Sequence, residues 1–237
     1  MRRTLLVSLY FVAYYLGILT LFYRINRKKQ RILVFHHIIP DEYMNNSFEK
    51  VIVCTSRSRF DWMMSIVNKR FEVTTELGRP GSVIITFDDG YRAALIADEI
   101  LAKRTNKAYF FMPISNVGSS VPLWIDRIMA WFAYVPEGEY TIANRKVWIG
   151  DSLSRQRAFS SLINTLYEKY DRDSTIEMLG VAYPYEALPI DLAYFDLRFK
   201  GLTEEELLVL KQKGHKIGGH SVRHNPIDPQ RHGRTDI

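Results

Sequence analysis

Short runs of apolar residues, each closed by charged or turn-forming residues, recur along the chain. Residues 32–35 form one such run, residues 82–87 form the clearest, and residues 108–112 form a third that Pro113 stops. Short apolar runs with these boundaries predict strands buried on both faces of a parallel sheet. Residues 91–103, between the second and third runs, have a helical pattern, so this part of the chain predicts a βαβ unit and an α/β fold.

The middle of the chain, residues 114–200, predicts an irregular insert. A largely apolar helix is expected over residues 123–134, a hairpin over 140–149 and a second helix over 154–170, where apolar residues repeat at helical spacing. The tryptophans of this insert have two open interpretations, packing in the core or lining of a sugar-binding groove; they are Trp124, Trp131 and Trp148.

After the insert, the sequence predicts a capped helix that leads into one more strand. Thr203 and Glu206 have the spacing of a capping box, and Gly214 ends the helix that they begin. The strand over residues 215–219 then ends at His220.

The amino-terminal pattern differs from all of these. Residues 5–23 form a run of 19 residues without a charge, and Tyr23 and Arg24 follow each other at its end. This length approaches the roughly 30 Å of a bilayer core, so the pattern predicts a membrane-spanning helix. A cleaved signal peptide and a buried helix of a soluble protein are the alternatives.

The charge distribution supports this interpretation over nucleic-acid binding. The formal charge of +6 equals the six Lys and Arg of residues 1–30, where no acid occurs, so the remainder is formally neutral. We therefore expect a single-pass membrane protein that binds no nucleic acid. Basic residues flank the run on both sides, so the side of the membrane stays open. Cys54 is the sole cysteine, which excludes an intrachain disulfide.

Candidate chemistry lies at the ends of two predicted strands. Asp88 and Asp89 follow the run 82–87, while His220 and His224 follow the strand 215–219. The carboxyl ends of parallel strands are where α/β folds place their active sites. Two adjacent carboxylates repel each other unless a cation lies beside them, and two imidazoles with one carboxylate leave coordination positions open for water and substrate. His220 and His224 would share one face if their segment were helical.

Each motif alone has a common structural explanation, a turn for Asp-Asp-Gly and surface decoration for the histidine pair. Their shared position predicts a divalent-metal hydrolase site. An Asp-x-Asp motif is absent after the strand, which excludes the haloacid-dehalogenase phosphatases.

These residues resemble the polysaccharide deacetylases of carbohydrate esterase family 4, which include the chitooligosaccharide deacetylase of rhizobial nodulation. The resemblance spans about residues 31–227 and rests on three segments of the chain: Thr86-Phe87-Asp88-Asp89-Gly90-Tyr91, the strand 108–112 with Pro113, and Gly218-Gly219-His220-Ser221-Val222-Arg223-His224 with Pro226.

The resemblance implies a distorted (β/α) barrel and removal of N-acetyl groups from a polysaccharide or chitooligosaccharide. By the same resemblance, Asp89, His220 and His224 would bind a divalent metal, most simply zinc, and Asp88 would take the proton of the attacking water. The products would be a free amine on the sugar and acetate.

Two departures from the family pattern stand out. Asn225 separates His224 from Pro226, and the later family motifs, including a histidine that acts as general acid, are not present in this sequence. The sequence thus predicts a barrel that is incomplete at its carboxyl end. His36 and His37, at the end of the first strand, are accessory candidates for the missing acid.

The sequence therefore divides into an anchor and basic flank over residues 1–30, a deacetylase-like domain over 31–227 and a tail over 228–237. Three hypotheses remain: a working deacetylase, a truncated or inactive relative that binds metal or glycan without turnover, and a membrane-tethered glycan-binding partner.

Overall fold

The computed structural model of the chain describes residues 2–51, 54–169 and 172–224. Within these ranges the helices are α1 (Arg2–Tyr15), α2 (Ile18–Ile25), α3 (Ser47–Val51), α4 (Arg57–Arg70), α5 (Leu95–Ala102), α6 (Trp124–Tyr134), α7 (Ser152–Lys169), α8 (Arg172–Ala182), α9 (Leu192–Phe199) and α10 (Glu204–Gln212). The strands are β1 (Arg31–Phe35), β2 (Ile38–Ile39), β3 (Thr55–Ser56), β4 (Val83–Phe87), β5 (Tyr109–Met112), β6 (Gly138–Ile142), β7 (Arg145–Ile149) and β8 (Lys216–Gly219).

The fold is α/β, built on a four-stranded sheet in the order β1-β4-β5-β8. Every pairing in this sheet is parallel, which confirms the predicted βαβ arrangement and places the carboxyl ends of all four strands at one edge. Among the described strands this sheet is open and does not close into the predicted barrel. Two smaller sheets accompany it, a parallel pair of β2 and β3 and an antiparallel hairpin of β6 and β7.

The apolar run of strand β1 predicted burial on both faces of the sheet, but β1 is buried on one face only. Ile32 and Val34 are 57% and 52% exposed, whereas Leu33 and Phe35 pack into the core below the sheet. The reason is that helices α4, α5 and α10 cover only one face of the sheet, through side chains such as Phe60, Leu101 and Leu210. An apolar run predicts that both faces can be buried, but the number of covering layers decides whether they are.

The insert forms a second core around α6. Trp131, Phe132, Tyr194 and Phe199 are almost completely buried in it, and the hairpin β6–β7 and helices α7 to α9 surround them. The predicted helix over 123–134, the hairpin over 140–149 and the helix over 154–170 are confirmed within one to two residues. Helices α8 and α9 were not predicted.

The capping box ahead of α10 is also confirmed. The Thr203 hydroxyl accepts from the Glu206 amide at 3.2 Å, and the Glu206 carboxylate accepts from the Thr203 amide at 3.0 Å. The helix predicted over 91–103 begins later, at Leu95, behind the 3₁₀ turn Arg92–Ala94. The predicted tail over 228–237 lies outside the described residues.

The predicted membrane span over residues 5–23 is wrong, and the single-pass membrane placement fails with it. The chain divides this region into α1, of 14 residues, and α2, of 8 residues, with Gly17 in the left-handed conformation at φ 71° between them. A 14-residue helix is about 21 Å long, which is less than the roughly 30 Å of a bilayer core. In the part of the chain that the structure describes, every helix is too short or too polar to cross a membrane.

Candidate metal centre

The two aspartates lie directly after β4, at the carboxyl edge of the sheet. The Asp88 amide donates to the Phe35 carbonyl at 2.8 Å, which extends the pairing of β1 and β4 by one residue. The chain then turns through Asp89 at φ 71° and Gly90 at φ 67°. A Cβ at Gly90 would lie 2.5 Å from the Cβ of Met112, so the close approach of β5 requires glycine here.

The histidines follow β8 at the same edge. The His220 amide donates to the Met112 carbonyl at 2.9 Å, and the chain then bends through Ser221 at φ 65° before it reaches His224 at φ 57°. The sequence predicts that His220 and His224 share one face only if their segment is helical, and the segment is not helical. The bend brings them together instead, with ring centroids 5.2 Å apart.

Asp89, His220 and His224 meet at one point. Asp89 Oδ1 lies 2.9 Å from His224 Nε2 and 3.4 Å from His220 Nε2. Burial alone would raise the pKa of Asp89, but hydrogen bonds from the two imidazoles hold it below its usual range. The hydrogen bond to Asp89 in turn raises the pKa of His220, against the opposing effect of burial.

This donor set fits a divalent metal ion. One ligand atom from each of the three residues lies within 4.8 Å of the other two. Asp89 Oδ1 is buried, and apart from the two imidazoles it has no hydrogen-bond partner in the described residues. One carboxylate and two imidazoles form a common three-ligand set for zinc, with further positions left for water and substrate.

Asp88 lies beside the cluster but outside it. Partial burial raises the pKa of Asp88, and the neighbouring His220 and His36 oppose this effect. Asp88 and His220 line one wall of a groove of about 450 Å³ that runs along the uncovered face of the sheet. A carboxylate with a raised pKa, next to a candidate metal site and open to a groove, is suited to accept a proton.

The accessory candidates His36 and His37 differ in their environment. His36 is exposed, whereas His37 is buried with its ring stacked on Tyr91 at a centroid distance of 3.9 Å. Burial and the positive charge of Arg198 hold the pKa of His37 well below its usual value, so its imidazole is neutral at pH 7. Both histidines line a cavity of about 420 Å³ together with Asp89 and His224.

Two charged residues of the insert reach the same cavity and were missed by the sequence analysis. Asp126 accepts a hydrogen bond of 2.5 Å from the Tyr91 hydroxyl, and burial raises the pKa of Asp126 to about 7. Arg198 is 2% exposed and forms a 2.7 Å ion pair with Glu49. The sequence did contain a signal for Asp126, because Asp126 and Arg127 interrupt a largely apolar helix and a buried charge requires a partner.

The tryptophans of the insert do not share one role. Trp131 is fully buried in the insert core, so the packing interpretation is correct for it. Trp148 is 57% exposed on the hairpin. Trp124 is half-buried at the start of α6, where its Nε1 donates to the His224 carbonyl at 3.1 Å.

Comparisons with known proteins place the chain beside three solved structures. No family model matches the chain, and no curated protein does. IcaB from Ammonifex degensii is 15% identical with a TM-score of 0.44, and the match covers 86% of this chain and 57% of IcaB. The de-N-acetylase from Aggregatibacter actinomycetemcomitans is 14% identical with a TM-score of 0.36, covering 81% of this chain and 55% of that one.

The third structure is a polysaccharide deacetylase from Bacillus cereus, 18% identical with a TM-score of 0.31, and the match covers 38% of this chain and 31% of that one. The match thus spans little more than half the length of IcaB and of the de-N-acetylase, and 31% of the Bacillus cereus protein. At these TM-scores the three likenesses carry no argument about function.

Proposed function

We propose that the chain removes N-acetyl groups from an acetylated polysaccharide or oligosaccharide by metal-dependent hydrolysis. The observation that carries this proposal is the convergence of Asp89, His220 and His224 within 4.8 Å at the carboxyl edge of a parallel sheet. The motifs that supply these residues are those by which the sequence resembles the polysaccharide deacetylases.

In this proposal Asp89, His220 and His224 hold the ion, and Asp88 takes the proton of the attacking water. A bound divalent ion would polarise the acetamide carbonyl and lower the pKa of water from 15.7 toward about 7. Asp88 lies next to the ligand Asp89, and its raised pKa makes it a stronger base than an exposed aspartate. General base catalysis of this kind contributes about 10²- to 10⁴-fold.

The amine that leaves the acetyl group requires a proton. His36 is exposed at the cavity and lies near enough to Asp88 to influence its pKa, so we assign the delivery of this proton to His36. His37 is neutral, buried and stacked on Tyr91, and we assign it a hydrogen bond to the substrate instead. The cavity of about 420 Å³ is large enough for one sugar unit with its acetamide.

The experiment that tests this function measures zinc content and acetate release together. Purified protein should contain about one zinc ion per chain and release acetate from chitooligosaccharides, and a His220→Ala, His224→Ala double variant should lose both. His36→Ala is the matched control for zinc content alone: it removes an imidazole at the same cavity but leaves the zinc ligands intact, so it should keep its zinc ion while it releases acetate more slowly. Equal zinc content in the double variant and the wild type would refute the proposal.

A second candidate function is metal and glycan binding without turnover. It is favoured by the uncovered sheet face beside Asp88, where Ile32 and Val34 are exposed and water is not excluded from the groove. Zinc binding and glycan binding without acetate release would support this candidate over the hydrolase.

A further inference from the structure

The stretch of chain from the end of β5 to the first residue of α6 contacts both halves of the candidate metal centre. Asn116 Nδ2 donates to the backbone carbonyl of Asp89 at 2.7 Å. Trp124 Nε1 donates to the backbone carbonyl of His224 at 3.1 Å. One short stretch of chain thus reaches two ligand residues that are 135 positions apart in the sequence.

Both of these ligand residues have a backbone conformation that is costly for them. Asp89 has φ 71° and His224 has φ 57°, in the left-handed region that residues other than glycine rarely adopt. Such a conformation is unfavourable and persists only where the surroundings hold it in place. The carbonyl groups that Asn116 and Trp124 bind belong to these same two residues.

The neighbouring backbone reinforces the histidine segment. The amide of Ile114 donates to the Ser221 carbonyl at 3.2 Å, and the amide of Ser115 donates to the Val222 carbonyl at 2.9 Å. These are backbone bonds, which side-chain substitution leaves in place. Asn116 and Trp124 therefore provide the side-chain donors through which the role of this segment can be tested.

The backbone around Gly201 also fixes the position of Asn116. Its side chain is completely buried, and its backbone carbonyl lies against Gly201, where an added Cβ would come within 1.7 Å of the Asn116 oxygen. The Gly201 amide donates to the Ser119 carbonyl at 2.9 Å, and the Leu202 amide donates to the Gly90 carbonyl at 2.9 Å. The donor of Asn116 is thus held at a defined distance from Asp89.

We infer that Asn116 and Trp124 are positioning residues that hold Asp89 and His224 in the geometry needed to bind the metal ion. This inference rests on the proposed function for the presence of the ion. Neither residue belongs to the motifs by which the sequence resembles a deacetylase. Outer partners that orient metal ligands typically contribute about 10- to 100-fold to metal affinity.

The test compares Trp124→Phe and Asn116→Leu with the control Trp148→Phe. Trp124→Phe removes the indole donor and keeps an aromatic ring, and Asn116→Leu removes the amide donor at nearly constant volume. Trp148 is an exposed tryptophan of the hairpin, so Trp148→Phe makes the same chemical change on the protein surface. We expect zinc dissociation constants, measured against a competing chelator, to rise about 10- to 100-fold in the first two variants only.

Two further readouts separate positioning from general destabilisation. The visible spectrum of the cobalt-substituted protein should change in band position or intensity in Trp124→Phe, because the His224 ligand is displaced. Hydrogen exchange of the His220, Ile114 and Ser115 amides, whose hydrogen bonds join this segment to the end of β5, should be faster in metal-free Trp124→Phe than in metal-free wild type, because the segment has lost the bond that Trp124 donates to it.

The inference is overturned if Trp124→Phe matches Trp148→Phe in zinc affinity, cobalt spectrum and exchange. If the wild type binds no zinc, the proposed function fails, and the exchange of the metal-free proteins still decides whether Trp124 holds the histidine segment. If Asn116→Leu does not fold, the comparison of Trp124→Phe with Trp148→Phe decides the inference alone, because Trp124 is only half-buried.

Discussion

The sheet and the insert contribute different things to the same site. The sheet of β1, β4, β5 and β8 provides the candidate metal ligands, because the carboxyl ends of its parallel strands meet at one edge. The insert around α6 provides a group that contacts one of these candidate ligands from outside, since Trp124 donates to the His224 carbonyl, and Asp126 accepts from Tyr91, two residues after Asp89. Short sequence motifs identify the residues to which we assign chemistry, whereas the residues that contact them from the insert lie in a region without a motif.

The largest effect is expected in the sheet, at Asp88. Asp88→Asn removes the base but leaves the ligand set intact, so acetate release should fall about 10²- to 10⁴-fold. Zinc affinity should stay within a few-fold of the wild type. Initial rates with chitooligosaccharides and a zinc titration would measure the two quantities, and an unchanged rate would remove Asp88 from the mechanism.

In the insert, the largest effect is expected at Trp131. Trp131→Ala should lower the free energy of unfolding by about 3–5 kcal/mol, because it leaves a cavity in the core around α6. It also removes the 3.0 Å hydrogen bond from Trp131 Nε1 to the Tyr183 carbonyl. Denaturant titration measures this loss. If the insert holds the candidate ligands in place, zinc affinity should fall as well. An unchanged affinity would show that the packing of the insert does not influence the metal site.

Asp126, on the insert side of the cavity, should make the free energy of unfolding depend on pH. Burial raises the pKa of Asp126 from 3.8 to about 7, so the folded protein binds this proton more tightly than the unfolded chain. The stability that this bound proton contributes to the folded state is therefore fully present below about pH 4 and is lost as the pH rises through about 7. A shift of three units corresponds to at most about 4 kcal/mol.

Asp126→Asn should remove this dependence, so that the variant gains stability relative to the wild type between pH 5 and pH 8. Urea titrations at several pH values would measure the difference. A wild-type protein whose stability rises across this range, in parallel with the variant, would show that Asp126 is ionised in the folded state.

The smallest effect is expected on the uncovered face of the sheet. Val34→Thr keeps a β-branched side chain at an exposed position, so the free energy of unfolding should change by no more than about 0.5 kcal/mol. Phe35→Ala, on the covered face of the same strand, should cost about 3–5 kcal/mol. A large loss in Val34→Thr would indicate that this face is covered in solution.

Local sequence patterns predicted much of the sheet and its motifs. The strand over residues 82–87 was recognisable because its apolar run is sharply bounded, and a parallel sheet then places Asp89 and His220 at one edge. The bend that brings His224 to Asp89 was not predictable, because it depends on positive φ values at Ser221 and His224, and no glycine in the segment 220–224 marks where the chain bends.

The errors came from tertiary context. Burial of β1 depends on how many layers cover the sheet, which the run Ile32 to Phe35 does not encode. The uncharged amino-terminal run satisfied the composition of a membrane helix, but the helix is interrupted at Gly17, whose left-handed conformation starts a new helix. The contacts of Asn116 and Trp124 with the ligand residues arise only when the insert packs on the sheet edge.

X-ray absorption at the zinc edge tests the central claim most directly. The account predicts one zinc ion per chain with two imidazole ligands at about 2.0–2.1 Å and the remaining ligands oxygen, because Asp89, His220 and His224 form the site. A sulfur ligand at about 2.3 Å, or a spectrum without imidazole scattering, would contradict it. Loss of the imidazole signal in His220→Ala, His224→Ala would assign the ligands to this pair.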